Sequence, residues 1–129
     1  MKKNQLKKYI LKIQKEKKEP IRNFNISIEG SVCDTNSKFK DVVSFYILNE
    51  SGTIKEISVK CGPCDPYAYI ASNILAKILK GFKIEQVRIN NDTIYQEFLK
   101  SLDHKIDEDM RFHFETLLKT LEDKLNNKV

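Results

Sequence analysis

The chain has 129 residues, 40% of them apolar, and a formal net charge of +5. That length sets one domain, 1–129, with apolar material for a modest core, and no apolar run approaches the roughly 20 residues of a membrane-spanning helix. The charge is lopsided, since residues 1–20 hold eight lysines against two glutamates and the remainder is close to neutral. The start has no apolar stretch of the secretory kind, so a cytoplasmic protein is expected. In a reducing compartment its three cysteines argue against a disulfide framework and for metal or redox chemistry.

Residues 2–18 place Leu6, Ile10 and Ile13 at helical spacing with Tyr9 beside them, and Pro20 ends this helix. Its lysines would suit nucleic acid or an anionic membrane, but no nucleic-acid motif accompanies them. The simpler reading is a solvated helix that packs one narrow stripe. From Asn23 to Val32, Phe24, Ile26 and Ile28 alternate as a strand. Residues 33–38 are polar and turn-like. Val42 to Leu48 forms a second strand, and Asn49-Glu50-Ser51-Gly52 suits a hairpin turn. The alternating run from Thr53 to Lys60 makes the third strand, so residues 22–60 read as an antiparallel meander.

Everything after Cys64 reads as helix, in segments 66–80, 83–88, 91–102 and 107–126. Asp65 fits the N-cap of the first, with Pro66 at its first turn and Gly81 as its stop. Asp107 and Glu108 suit the start of the last helix, where the helix dipole favours acids. Met110, Phe114, Leu117, Leu118, Leu121 and Leu125 would form its core face. The order of helix, three strands and then helices (65–126) predicts an α+β domain with helices on one face of a small sheet.

Lys60-Cys61-Gly62-Pro63-Cys64-Asp65-Pro66 joins the third strand to the long helix and carries two of the three cysteines. Cys64 falls at the positive end of that helix, beside unpaired backbone N–H groups. Such a place favours the thiolate, which is both the nucleophilic and the metal-binding form. The bland alternative is a pair of half-buried structural cysteines. A dithiol at such a junction suits metal or cluster binding, or disulfide exchange.

This junction and its surroundings resemble the IscU-type scaffold family, also known as the NifU N-terminal domain, which assembles iron–sulfur clusters. The resemblance spans roughly residues 9–125 and is strongest from 52 to 81. Gly52-Thr53-Ile54-Lys55-Glu56-Ile57 leads to Cys64, then to Ile70-Ala71-Ser72-Asn73-Ile74-Leu75-Ala76 and Lys80-Gly81, as the family's strand leads to a ligand Cys and a long helix. Cys33 matches the family's first ligand Cys, and either Asp34 or Asp41 matches the Asp near it. His113 matches the family's His, while Phe114 stands at the position of its third Cys. The family's Leu-Pro-Pro-Val-Lys segment has no counterpart before His113. Cys61 is an additional thiol.

The resemblance implies a scaffold or carrier rather than an enzyme. Its cargo would be a transient 2Fe–2S cluster, with zinc as the other candidate ion. Cys33, Cys61, Cys64 and His113 would be the ligand set if Cys61 takes the place of the missing thiol. Asp34 or Asp41 would be a weaker iron ligand that keeps the cluster labile. Three cysteines and one histidine suit either species. Implied partners are a cysteine desulfurase and recipient apo-proteins, and a homodimer stays open. His104 sits in a polar stretch and reads as solvated.

Two other functions compete. Cys61-Gly62-Pro63-Cys64 is similar to the thioredoxin active-site tetrapeptide, which suggests a thiol–disulfide oxidoreductase. Against this, the three prolines are at 20, 63 and 66, so no downstream proline can face the dithiol, and a meander precedes the motif where a βαβ unit is needed. The third is a degenerate homologue acting as a binding module through its basic first helix.

Overall fold

The computed structural model describes residues 1–17, 19–32, 42–62 and 64–126. Its elements in chain order are α1 (Lys3–Glu16), β1 (Ile26–Gly30), β2 (Val43–Glu50), β3 (Thr53–Cys61), α2 (Pro66–Leu79), α3 (Ile84–Ile89), α4 (Asn91–Ser101) and α5 (Glu108–Asn126). The fold is α+β, a three-stranded antiparallel sheet in the order β1-β2-β3 with helices packed against it. The expected first strand is shorter at both ends, and β2 runs two residues further than its periodicity indicated. A register irregularity between Leu48 and Asn49 accounts for that extension. There Asn49 exchanges hydrogen bonds of 2.8 Å in both directions with the Asn25 side chain, which serves the backbone groups the irregularity leaves over.

The register sorts the strands into two faces. Ile28, Phe45 and Val59 align across the sheet, as do Ile26, Ile47 and Ile57. Gly30, Val43 and Cys61 form the third row on that face. All but Gly30, Ile57 and Cys61 are buried. The other face carries Ser27, Glu29, Ser44, Tyr46, Ser58 and Lys60, the polar side of a sheet covered on one face only. Cys61 therefore ends β3 on the helix-facing side.

The hairpin between β2 and β3 closes through Ser51 and Gly52, both with positive φ (53° and 84°). A two-residue loop of this hand matches the twist of its strands. The Asn49 side chain accepts from the Gly52 N–H at 2.9 Å and braces it.

Helix α2 is the centre of the molecule, in contact with β3, α1, α4 and α5. Its Ala68, Ile70, Ala71, Ser72, Ile74, Leu75, Ala76 and Leu79 are all buried, so it is apolar on nearly every side, as a core helix is. Burying each Ile or Leu side chain contributes roughly 1.5–3 kcal/mol. The buried Ser72 hydroxyl donates to the Tyr69 carbonyl one turn back. Gly81 (φ 94°) ends the helix, and the chain returns beside β3 through Gly81 N–H to Ile54 O (2.7 Å) and Ile54 N–H to Phe82 O (2.8 Å). Helix α5 buries every residue of its expected core face, and His113 besides.

Helix α1 lies on α2 through the buried Tyr9. Two of its charged side chains pair with the rest of the fold, Glu16 with Lys77 at 3.2 Å and Lys8 with Asp103 at 3.7 Å. No helix among the described residues is long and apolar enough to cross a membrane.

Candidate functional site

The site is built where β3 hands over to α2 and where α5 begins. Cys61 is the last residue of β3 and Cys64 lies two residues before the first residue of α2. Both are partly buried against the core. The Gly62 N–H donates to the Val42 carbonyl at 3.0 Å, which holds the loop to the sheet past the end of β3. Cys61 and Cys64 are joined as a disulfide, with their Cα atoms 5.6 Å apart. The two sulfurs are thus brought together, in the oxidised form.

Asp65 follows at the N-cap of α2. Its Oδ1 accepts from the Ala68 N–H at 2.9 Å, as the sequence indicated. Its other oxygen does something the sequence did not show. Asp65 Oδ2 lies 3.3 Å from His113 Nε2, across 48 residues of chain. His113, 5% exposed, is fixed from its other side, where Nδ1 is 2.7 Å from the Asp109 carbonyl oxygen. A carbonyl only accepts, so Nδ1 carries a hydrogen, and Nε2 is the ring nitrogen that faces Asp65.

The surroundings of the imidazole are aromatic. Tyr67 stacks on it with ring centres 5.6 Å apart, and Phe112, half exposed, meets it edge-on at 6.1 Å. The Tyr67 hydroxyl donates to Asp107 Oδ2 at 2.8 Å. Burial, then this hydrogen bond and the nearby acids, push the Tyr67 phenol up to about 12. Burial also raises the Asp107 carboxyl, but hydrogen bonds from the Met1 ammonium, the Met110 N–H and Tyr67 outweigh it and hold the group below its ordinary value. Tyr67, Asp107 and the head of α5 thereby form one hydrogen-bonded unit that presents His113 to the start of α2.

Of the residues singled out by sequence, the structure brings together the Cys61–Cys64 junction and, through Asp65, His113. Cys33, Asp34 and Asp41 lie outside the described residues. Among the described residues, no group of three or more His, Cys, Asp or Glu side chains is placed to hold a metal ion. In the disulfide form neither sulfur is a thiolate. His104 is exposed, in a loop with φ 59°, as its polar setting indicated. Phe114 is a core residue, 2% exposed, packed on Phe98 (4.3 Å between rings) and Tyr95 (5.5 Å). Sequence reasoning missed Asp65 and Tyr67 as partners of His113. Asp65 already had a complete local explanation as a cap, and a stacking Tyr on another helix leaves no trace in spacing.

A groove of about 510 Å³ lies elsewhere, between α1, β3 and the later part of α2, lined by Tyr9, Ile13, Ile57, Ile74, Lys77 and Lys80 among others. Neither the two cysteines nor His113 lines it.

No family model matches the chain, and no curated protein does. Solved structures do. The N-terminal part of a nitrogen-fixing NifU-like protein from Brucella abortus superposes with a TM-score of 0.61 at 14% identity, over 98% of each chain. A hypothetical protein solved at 2.3 Å superposes with a TM-score of 0.56 at 11% identity, over 93% of this chain and 98% of the other. At such identities the shared property is the fold, and that fold is the NifU-like N-terminal one.

Proposed function

We propose that this protein is an iron–sulfur cluster assembly scaffold or carrier, with the cluster as its cargo. The observation that carries the reading is the meeting of the Cys61–Cys64 junction with the head of α5 at His113, on a fold shared with a NifU-like domain. Once the disulfide is reduced, Cys61 and Cys64 supply two soft ligands from one loop, and Cys33 and His113 would complete a set suited to a 2Fe–2S cluster or to zinc. A thiolate in this set would take a sulfur atom from a donor persulfide, with the donor leaving as a thiol. Asp34 or Asp41 would add the labile oxygen ligand. A cysteine desulfurase would be the donor, recipient apo-proteins the acceptors, and the cytoplasm the compartment.

In this reading the third cysteine of the resemblance is absent because its position serves the core. Phe114 follows His113 on α5, roughly 100° further around the helix, and is spent on the core between Phe98 and Tyr95. Cys61 would bring the replacement thiol from the end of β3. The test is cluster retention after anaerobic reconstitution. Cys33→Ser and Cys64→Ser should each abolish retention of iron and sulfide, and unchanged retention in both would end the proposal.

One observation favours a second reading, thiol–disulfide exchange, because Cys61 and Cys64 are joined. Reduction of insulin disulfides by dithiothreitol would then be accelerated by the wild type and not by Cys64→Ser. Equal rates for the two proteins dispose of it.

A further inference from the structure

We infer that Cys61 and Cys64 together reduce sulfane sulfur, turning a sulfur atom delivered as a persulfide into free sulfide and closing into the disulfide seen in the structure. The inference rests on the scaffold reading for its purpose, while the chemistry of the pair can be tested apart from that reading.

Electron count comes first. A donor persulfide carries its outer sulfur at the oxidation level of the element, whereas a cluster takes up sulfide, which holds two more electrons. A scaffold that only accepts the sulfur leaves those electrons to come from elsewhere. A dithiol releases two when it closes to a disulfide. Cys61 is also the thiol for which the resemblance offers no counterpart, so it is this chain's own addition to the junction.

Placement is the second point. Cys61 is held in β3 opposite Val43, and the Gly62 N–H is tied to the Val42 carbonyl at 3.0 Å. On the far side, Asp65 Oδ1 caps α2 through the Ala68 N–H at 2.9 Å. The loop is thus fixed at both ends, with the two Cα atoms 5.6 Å apart. That lies in the range of about 5.5–6 Å that most disulfides take, so one thiol reaches the other with the backbone left in place. Both cysteines are half-buried, which leaves them open to a small donor. A purely structural cross-link is the plainer alternative. The two residues are only 3 apart in sequence, and the shortest loops gain least from being closed. This loop is anchored at both ends already, so the pair is better placed for turnover than for stability.

The steps balance. The Cys64 thiolate, favoured at the start of α2, attacks the outer sulfur of a donor R–S–SH. The donor's sulfur–sulfur bond breaks, R–SH leaves, and Cys64 carries the persulfide. The Cys61 thiolate then attacks Sγ of Cys64. The bond from Cys64 to the terminal sulfur breaks, sulfide leaves as HS⁻, and the Cys61–Cys64 disulfide forms. In sum, the dithiol and R–S–SH give the disulfide, R–SH and H₂S. The dithiol is oxidised by two electrons and the transferred sulfur is reduced by two. Small thiols such as glutathione then reopen the pair and are themselves joined as a disulfide. In the thiol–disulfide exchange reading the electrons go to a protein disulfide, whereas here they go to sulfur destined for the cluster.

The test mixes the reduced full chain, anaerobic and freed of reductant, with glutathione persulfide, and follows free sulfide and the mass of the protein. The wild type should release sulfide equal in amount to the reduced chains and lose the two hydrogens of a new disulfide, mapped to Cys61 and Cys64. Initial release should exceed that of Cys61→Ser about 100-fold or more, because a thiol held in place acts at an effective concentration beyond any reached in solution. Cys61→Ser should instead gain one sulfur atom on Cys64 and give it up as sulfide only when dithiothreitol is added. A wild type that keeps the added sulfur as a persulfide, or takes up none, overturns the inference, and that result depends on no variant being folded. Release by Cys61→Ser at the wild-type rate overturns it equally. Reconstitution of the wild type with iron and inorganic sulfide bypasses this step and separates the two readings. Cluster formation there without sulfide release from the persulfide ends the inference and keeps the scaffold. Sulfide release without any retention of iron keeps the inference and ends the scaffold reading.

Discussion

Replacing Phe114 by cysteine places a thiol where the sequence resemblance expects the scaffold family's third ligand, and it should fail as a repair. Phe114 is 2% exposed, with ring centres 4.3 Å from Phe98 and 5.5 Å from Tyr95. Truncating a buried Phe to Ala costs about 3–5 kcal/mol through lost transfer energy and the cavity left behind. A cysteine sulfur refills a fraction of that space, and the aromatic pairs, worth about 0.5–1.5 kcal/mol each, are lost outright. The expected cost for Phe114→Cys is therefore about 2–4 kcal/mol. Urea unfolding with a slope of about 1–3 kcal/mol/M would show it as a midpoint lowered by about 1–2 M. The new thiol would also face the Phe98–Tyr95 side of α5, away from His113, so reconstituted cluster content should not rise. An unchanged midpoint together with higher iron and sulfide content would refute the reasoning, because it would mean that position 114 opens onto the site.

Tyrosine titration followed at 295 nm should show late phenols. Tyr9 is pushed up to about 12 by burial, its 2.6 Å hydrogen bond to Asp103 and that acid's charge, and Tyr67 reaches about 12 for like reasons. A raised acid pKa favours the protonated folded form, so this stability is whole below pH 10 and is lost as pH rises from about 10 to about 12. A Tyr9→Phe, Tyr67→Phe double variant should lose the late step, and a wild type whose phenols all titrate near 10 contradicts the assignment. At the hairpin, Ser51 pays for positive φ without being glycine or asparagine. Ser51→Asn should raise stability by about 0.5 kcal/mol and Gly52→Ala should lower it by about 1 kcal/mol, both read as shifts in thermal midpoint. Asp65→Ala should lower stability by about 1 kcal/mol through loss of the cap, where Asp65→Asn leaves it nearly unchanged. Equal losses in the two variants would assign the stabilisation to the charge on Asp65.

Local rules carried most of the fold into the sequence. Alternation marked all three strands, because one face of the sheet is buried and the other solvated. Asp65, Pro66 and Gly81 marked both ends of α2 through cap chemistry that needs only neighbours in the chain. The apolar stripe of α5 was readable for the same reason. The far end of β2 was not, because the Asn25–Asn49 exchange that extends the pairing joins residues 24 apart through side chains of low strand propensity. The candidate site was half legible. Cys61 and Cys64 announced themselves by spacing and His113 by resemblance, but its ties to Asp65 and Tyr67 are tertiary. Phe114 was fully legible, since the apolar stripe of α5 marked it as the core residue it is.

The most direct test is purification without oxygen and with reductant, followed by iron, zinc and acid-labile sulfide analysis and a visible absorption spectrum. The account predicts iron and sulfide in comparable amounts, with sulfur-to-iron charge-transfer bands, in the wild type and not in Cys64→Ser. Neither metal nor sulfide, even after reconstitution with iron and a sulfide source, would contradict it and leave the Cys61–Cys64 dithiol as the function to explain.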